Sequence, residues 1–250
     1  VERNRMSLNQ SGGRPVHYPA DPNKFVFDAE VSAIFPDMAR RSIPNFYEAH
    51  AAHAEMLSAW IKPGVEILDV GASRGAFLKA LVETHGVFWE IGDINYTALD
   101  NSPEMCAHLQ TDYPRASVRC VDIASNAFLD HPQQQYDVVC AHYVLQFLPP
   151  IMQVRALRKL LQMVKPGGVF ILGHKSQSPG FSGEIAHEQY IKFRMSYGYT
   201  REEIQAKTMA LKGSMFPMNH YEVMDIIRAT CSEVTETFRF MMFSTLFAVK

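Results

Sequence analysis

The sequence predicts an α/β fold around a mostly parallel sheet. Three observations carry that prediction. Short apolar runs alternate with stretches of helical periodicity, a small-residue loop (Asp69-Val-Gly71-Ala-Ser73-Arg-Gly75) follows the first run, and the runs end at polar residues. Repeated strand–helix–strand units ask for parallel neighbours joined by right-handed crossovers.

Taken in order, Asp28 to Ile61 reads as mostly helical, broken at Pro36 and Pro44. Val65 to Val70 is the first strand, and Arg74 to Glu83 a helix closed by Gly86. Ile94 to Leu99 is the second strand, ending at Asp100. Ser102-Pro103-Glu104 then supplies a cap, a first-position proline and a first-turn acid for the next helix. Ala116 to Val121 and Tyr136 to Ala141 are strands that stop at Asp122 and at His142-Tyr143. Pro149-Pro150 opens a helix, and Lys165-Pro-Gly-Gly168 turns the chain into a strand from Val169 to Leu172. Residues 181 to about 212 read as two helices separated at Gly198, an insertion of the kind that covers a site or makes a dimer contact. Asn219 to Thr230 is a further helix, and Glu233 to Phe240 with Phe243 to Val249 form a terminal antiparallel hairpin whose Met and Phe residues belong to the core.

Composition fits one domain over residues 25–250 behind a flexible leader, 1–24, rich in Pro, Gly and Asn. With 250 residues, 47% apolar and 20% charged, a net charge of −2 gathers neither nucleic acid nor anionic membrane. No apolar run is long enough to span a bilayer. Four scattered cysteines, expected in or near the core, fit reduced thiols and a cytoplasmic location.

In a parallel sheet the ligand sits beyond the carboxyl ends of the strands. Gly71 permits a sharp turn and Gly75 a close helix start, so backbone N–H groups can approach a ligand. Asp100 is placed to accept ribose hydroxyls and Asp122 to reach an adenine amino group; turn formation is the plain alternative for Asp122. Dinucleotide enzymes favour G-x-G-x-x-G beneath a pyrophosphate. Here an acid precedes the first glycine and no G-x-G is present, which suits a cationic amino group: S-adenosylmethionine has one, and has no phosphate.

Through "LDVGASRGAF", Asp100, Asp122 and "KPGG" the chain resembles the class I S-adenosylmethionine-dependent methyltransferases. Through "FDAEVSAIFPDMARRSIPNF", "LDNSPEM", "LQFL" and "GYTREEI" it resembles, over roughly residues 25 to 250, the carboxy-S-adenosylmethionine synthase family, which makes a carboxylated cofactor from S-adenosylmethionine and prephenate for tRNA wobble-uridine modification. The resemblance implies a Rossmann-like, mostly parallel seven-stranded sheet, a homodimer, and S-adenosyl-L-methionine, S-adenosyl-L-homocysteine or carboxy-S-adenosyl-L-methionine as ligand. Cofactor contacts are expected from Asp69, Gly71, Ala72, Ser73, Gly75, Asp100, Asn101, Asp122, Ile123 and His142. The family's carboxylate-binding arginine, contributed by the neighbouring protomer, corresponds to Thr208 in Ala206-Lys207-Thr208. Phe46 stands for its tyrosine, with Tyr47 adjacent, His142-Tyr143 for its Asn-Phe, and "FWEIGD" is inserted before the second strand.

His142 and Tyr143 are the candidate catalytic residues, His142 as a general base for an acceptor's O–H or N–H or simply as a hydrogen-bonded neighbour of the pocket. His50-x-x-His53 with Glu55 is read as a solvated helix face and not a metal site, and no metal is expected. Arg40-Arg41 and Lys192/Arg194 are likewise read as solvated. The leading function is methyl transfer to an unknown small-molecule or nucleic-acid-derived acceptor. The alternatives are the carboxylated-cofactor synthase and a non-catalytic S-adenosylmethionine-binding protein.

Overall fold

β1 (Val65–Val70) and β4 (Tyr136–His142) are almost continuously buried, as strands covered on both faces must be, and they pair in parallel at the centre of the sheet. The computed structural model describes residues 27–130, 134–177 and 180–250 and two short segments before them. Those segments, Met6–Leu8 and Pro15–His17, pair antiparallel inside the expected leader, the rest of which lies outside the described residues. Around β1 and β4 the sheet is completed by β2 (Ile94–Asp100), β3 (Ser117–Cys120), β5 (Val164–Lys175), β6 (Glu233–Phe240) and β7 (Phe243–Val249). The order is β3-β2-β1-β4-β5-β7-β6, parallel except for β7, which runs antiparallel to both β5 and β6. Strand order reverses between β1 and β4, so their carboxyl ends open a crevice.

Two apolar layers sandwich the sheet. On one face α3 (Ala76–Glu90) and α4 (Pro103–Asp112) contribute Phe77, Leu78, Leu81 and Leu109. On the other, α6 (Pro150–Gln162) and α9 (His220–Arg228) contribute Leu157, Leu160, Leu161 and Ile227. Each of these side chains adds roughly 1.5–3 kcal/mol relative to exposure.

Several expectations are corrected. Pro36 does not break the chain: α1 runs from Ala29 to Ser42 through it, and the break lies between α1 and α2 (Phe46–Met56), at Pro44. A proline inside a helix leaves the carbonyl four residues back without its N–H partner. Here that carbonyl, Ser32, accepts from Arg74 Nη1 at 3.2 Å, which ties α1 to the glycine loop. Gly86 does not close α3; the helix continues to Glu90 across a kink at His85, whose φ/ψ of −124°/32° is non-helical, and so absorbs the first half of "FWEIGD". Lys165–Gly168 lies inside β5 as an irregularity between the pairs Tyr136↔Val164 and Val138↔Val169. Cys120, on the short edge strand β3, is exposed, whereas Cys106, Cys140 and Cys231 are buried. Phe240 also departs from the expected core, at 43% exposed.

The insertion forms α7 (Gly180–Ser196) and α8 (Arg201–Leu211), separated at Gly198 with φ +90°. Thr200 and Glu203 close a reciprocal capping box at the start of α8. Together with α1 and α2 these helices roof the crevice, through an apolar cluster that includes Ala39, Phe46, Tyr143, Tyr190 and Phe243. On β6, Glu236 pairs with Leu246 and Phe238 with Thr245, so Thr237 is an extra residue, a bulge.

Candidate functional site

The glycine loop is built around the carboxyl end of β1. Gly71 and Ala72 donate to the Leu99 carbonyl on β2 at 2.7 and 3.0 Å, and Gly75 to Ala72 at 2.8 Å. Gly71, Ser73 and Gly75 all adopt positive φ, 68°, 53° and 74°. At Gly71 the requirement is double, because an added Cβ would also lie 2.6 Å from Val144 Cβ and Cγ2. Gly71→Ala is expected to lower the urea midpoint at constant m, by roughly 2–5 kcal/mol, combining left-handed strain with overpacking.

Asp100 joins the loop to the next helix: Oδ2 accepts from Ser73 N and Oδ1 from Ser102 N, both at 2.9 Å. Ser102 caps α4 as expected, yet the aspartate is not left idle by it. Each carboxylate oxygen keeps a second lone pair for a ligand. Burial raises the pKa of Asp100. Asp69, 2% exposed, is more committed than its place in the motif suggests. It accepts from Tyr96 Oη at 2.5 Å and from Cys140 Sγ at 3.3 Å, and burial raises its pKa to about 6. Asp122 performs a turn role, accepting from Ala124 N at 2.9 Å, and still lines the crevice.

The crevice is one cavity of about 890 Å³, large enough for a nucleoside ligand together with an acceptor. It brings together every expected site residue: Asp69, Gly71, Ala72, Ser73, Gly75, Asp100, Asn101, Asp122, Ile123, His142 and Tyr143. Asp69, Cys140 and His142 also place ligand-type atoms within 4.8 Å of one another. Burial holds the Cys140 thiol protonated, its pKa well above the ordinary value, so this trio offers a hydrogen-bonded thiol and not a thiolate.

Two residues that the sequence reading did not assign lie against His142: His50, in the cavity lining, and His53, outside it. His50 and His53 are 3% and 1% exposed, against the expectation of a solvated face. His50 packs against His142 with ring centroids 4.3 Å apart and planes tilted by 33°, and its Nδ1 donates to the Phe46 carbonyl at 2.5 Å. His53 Nδ1 lies 2.9 Å from His142 Nε2. His142 Nδ1 and the Tyr143 hydroxyl are buried without a hydrogen-bond partner among the described residues. Burial, followed by the neighbouring His50 and His53, pushes the pKa of His142 well below its ordinary value, so the ring is neutral near pH 7. Tyr143, at φ +59°, is raised by burial and stays protonated.

A second group is cationic. Arg41 and Arg194, expected to be solvated, are 1% and 3% exposed. Arg41 pairs with Asp37 at 2.7 Å and lies over the Tyr199 ring. Arg194 also lies over Tyr199, and its Nε and Nη2 have no hydrogen-bond partner among the described residues. Lys175, Arg194 and Lys207 line the cavity beside Thr208. Thr208 donates its hydroxyl to Ile204 of its own helix at 2.7 Å. Burial and then the Arg194 charge lower Lys175 to about 8, and burial, followed by the Arg194, Arg41 and Lys175 charges, holds Lys207 well below its ordinary value.

Comparison with known proteins agrees with this geometry. A family described as methyltransferase domain matches residues 68–170. The carboxy-S-adenosyl-L-methionine synthase of Shewanella putrefaciens is 30% identical over 205 residues, covering 79% of this chain and 82% of that one. The protein of the same name from Nautilia profundicola is 25% identical over 229 residues, covering 91% and 95%. Among solved structures, the magnesium protoporphyrin IX methyltransferase of Synechocystis PCC 6803 with bound SAH has a TM-score of 0.61 at 13% identity, covering 90% of this chain and 96% of that one. The N-methyltransferase NodS of Bradyrhizobium japonicum in complex with S-adenosyl-l-homocysteine has a TM-score of 0.53 at 16% identity, covering 89% and 97%. Sheet order, glycine loop and sequence relatives agree: the chain belongs to the carboxy-S-adenosyl-L-methionine synthase family and is an S-adenosylmethionine-dependent transferase of the class I methyltransferase fold.

Proposed function

We propose that this protein transfers the methyl group of S-adenosylmethionine to an acceptor O–H or N–H, with His142 Nδ1 receiving the proton. The observation that carries the reading is that nitrogen, buried and without a hydrogen-bond partner among the described residues, on a neutral ring of the cavity lining. Asp100 and Asn101 would hold the ribose, Asp122 and Ile123 the adenine, and the Gly71–Gly75 loop with Asp69 the amino-acid end. When bound, the cofactor supplies a methyl group already activated by its sulfonium. The chain's own tasks are then to align the acceptor and keep water out, for which Phe46, Tyr143 and Phe243 supply an apolar wall. The Tyr143 phenol is a spare donor for the acceptor. A cytoplasmic location, supported by the free thiols, and a homodimer, expected from the sequence resemblance alone, complete the reading.

A second reading, the carboxylated-cofactor synthase, is favoured by one observation. Lys175 and Arg194 line the same cavity as Thr208, which stands for the family arginine, and they offer positive charge to a carboxylate without it.

S-adenosylhomocysteine at 100 times its Kd is expected to add about 2.7 kcal/mol of stability, a Tm rise of roughly 5–11 °C, while NAD leaves Tm unchanged. No rise with S-adenosylhomocysteine would sink both readings. Mass spectrometry after incubation with S-adenosylmethionine and prephenate then separates them: a carboxylated product selects the synthase, and its absence the methyltransferase. A silent binder would leave every candidate acceptor unmethylated.

A further inference from the structure

Two side chains that do not line the cavity bear on which nitrogen of His142 carries the proton. His53, on α2, reaches His142 Nε2 with its Nδ1 at 2.9 Å and Thr237 Oγ1 with its Nε2 at 2.8 Å. Thr237 is the bulged residue of β6, and bulges re-aim a side chain that the regular pleat would send elsewhere. Its hydroxyl also donates to the Thr245 carbonyl at 3.2 Å and lies 2.8 Å from Thr245 Oγ1.

A hydroxyl has one donor and two acceptor sites. With the donor spent on the Thr245 carbonyl, Thr237 Oγ1 accepts from Thr245 Oγ1 and from His53 Nε2–H. A neutral imidazole carries one N–H, so His53 Nδ1 is an acceptor and His142 Nε2 is the donor that meets it. His142 Nδ1 is then an unprotonated lone pair. The opposite polarity would make Thr237 donate to His53, surrender the Thr245 carbonyl contact, and put a proton on a His142 nitrogen that has nothing to donate to among the described residues.

We propose that Thr237 and His53 are positioning residues that hold His142, a residue of the cavity lining, as its Nε2–H tautomer, leaving Nδ1 as the unprotonated nitrogen that can accept a proton. The proposal rests on the reading of His142 as the base. As the bond from the acceptor atom to the methyl carbon forms and the carbon–sulfur bond breaks, the acceptor's proton passes to Nδ1. The positive charge lost at sulfur reappears on the imidazolium, and the Nε2–H bond to His53 becomes charge-assisted. His50, bonded through Nδ1–H to Phe46, packs against the same ring as a neutral neighbour.

The test is the long-range proton–nitrogen NMR spectrum of protein labelled with ¹⁵N-histidine, recorded with and without S-adenosylhomocysteine and assigned with His50→Gln and His142→Asn. The expected result is a pyridine-type Nδ1 and a pyrrole-type Nε2 for both His53 and His142. Thr237→Val should move His142 Nδ1 towards the pyrrole type, and Thr237→Ser should restore the wild-type spectrum. A wild-type His142 with its proton on Nδ1, or a Thr237→Val spectrum unchanged at both rings, overturns the proposal. Should Thr237→Val fail to fold, Thr237→Ala removes the same hydroxyl. Failure to bind S-adenosylhomocysteine, read by titration of the same sample, counts against the transferase reading and leaves the tautomer result standing on its own.

Discussion

Asp100→Ala is expected to weaken S-adenosylhomocysteine binding about 100-fold, measured by titration calorimetry. The carboxylate has two jobs. Inside the protein it ties the glycine loop to the start of α4 through Ser73 N and Ser102 N, and towards the cavity it keeps one lone pair per oxygen. A hydrogen bond to a charged group contributes roughly 1.5–3 kcal/mol, so losing two ribose contacts accounts for 100-fold or more. Asp100→Asn keeps the shape but turns an N–H towards one of the backbone N–H groups, so it should lose affinity by about tenfold or more and also lower the unfolding free energy by about 1–3 kcal/mol. A change below threefold for Asp100→Ala would show that the ribose is held elsewhere in the cavity.

What made Asp100 legible was local: an acid at the end of a buried strand, followed by a cap of its own. The central sheet could be read for the same reason, since "VEILDV" and "YDVVCAH" are runs that only a strand buried on both faces requires. Errors arose where a long-range partner overrode a local rule. Pro36 stays inside α1 because Arg74, 38 positions on, takes the carbonyl that the proline leaves free. Arg41 reads as a surface charge because the Tyr199 ring it lies over is far along the chain, and Arg194, only five positions before that ring, is buried over its face by the fold of the insertion. His50 and His53 are a different case. Phe46, His50 and His53 fall at i, i+4 and i+7, the stripe of a buried helix face, and Ala49 and Ala54 join it. That signal was present, masked by treating histidine as polar. The bulge that turns Thr237 towards His53 left no trace at all, since a register shift depends on the partner strand.

Arg194→Met is expected to stabilise the ligand-free protein by about 1–3 kcal/mol, a Tm rise of roughly 2–12 °C. Two of its buried nitrogens have no partner among the described residues, and Lys175 and Lys207 stand in the same wall, so the charge is held against both desolvation and like charge. Methionine keeps much of the packing without either cost. The lysines give a pH signature of the same strain. Lys175 is lowered from its ordinary 10.5 to about 8, so between those values the unfolded chain binds the proton and the folded one does not. Its contribution therefore rises with pH across that window, and below pH 8 it is fully unfavourable. Buried tyrosines and thiols with raised pKa values pull the other way above pH 9, so the effect is read as the difference between wild type and Lys175→Met. That difference, with the wild type the less stable at pH 7, should shrink by about 3 kcal/mol between pH 7 and 10.5. Arg194→Met should diminish it at pH 7, since Arg194 is the charge that lowers Lys175 after burial itself. A destabilised Arg194→Met would mean that the guanidinium is held by contacts worth more than its desolvation. An anion entering the cavity beside Lys175 and Arg194 would offset that cost, so the same pair of cations links the stability of the fold to what the cavity can hold.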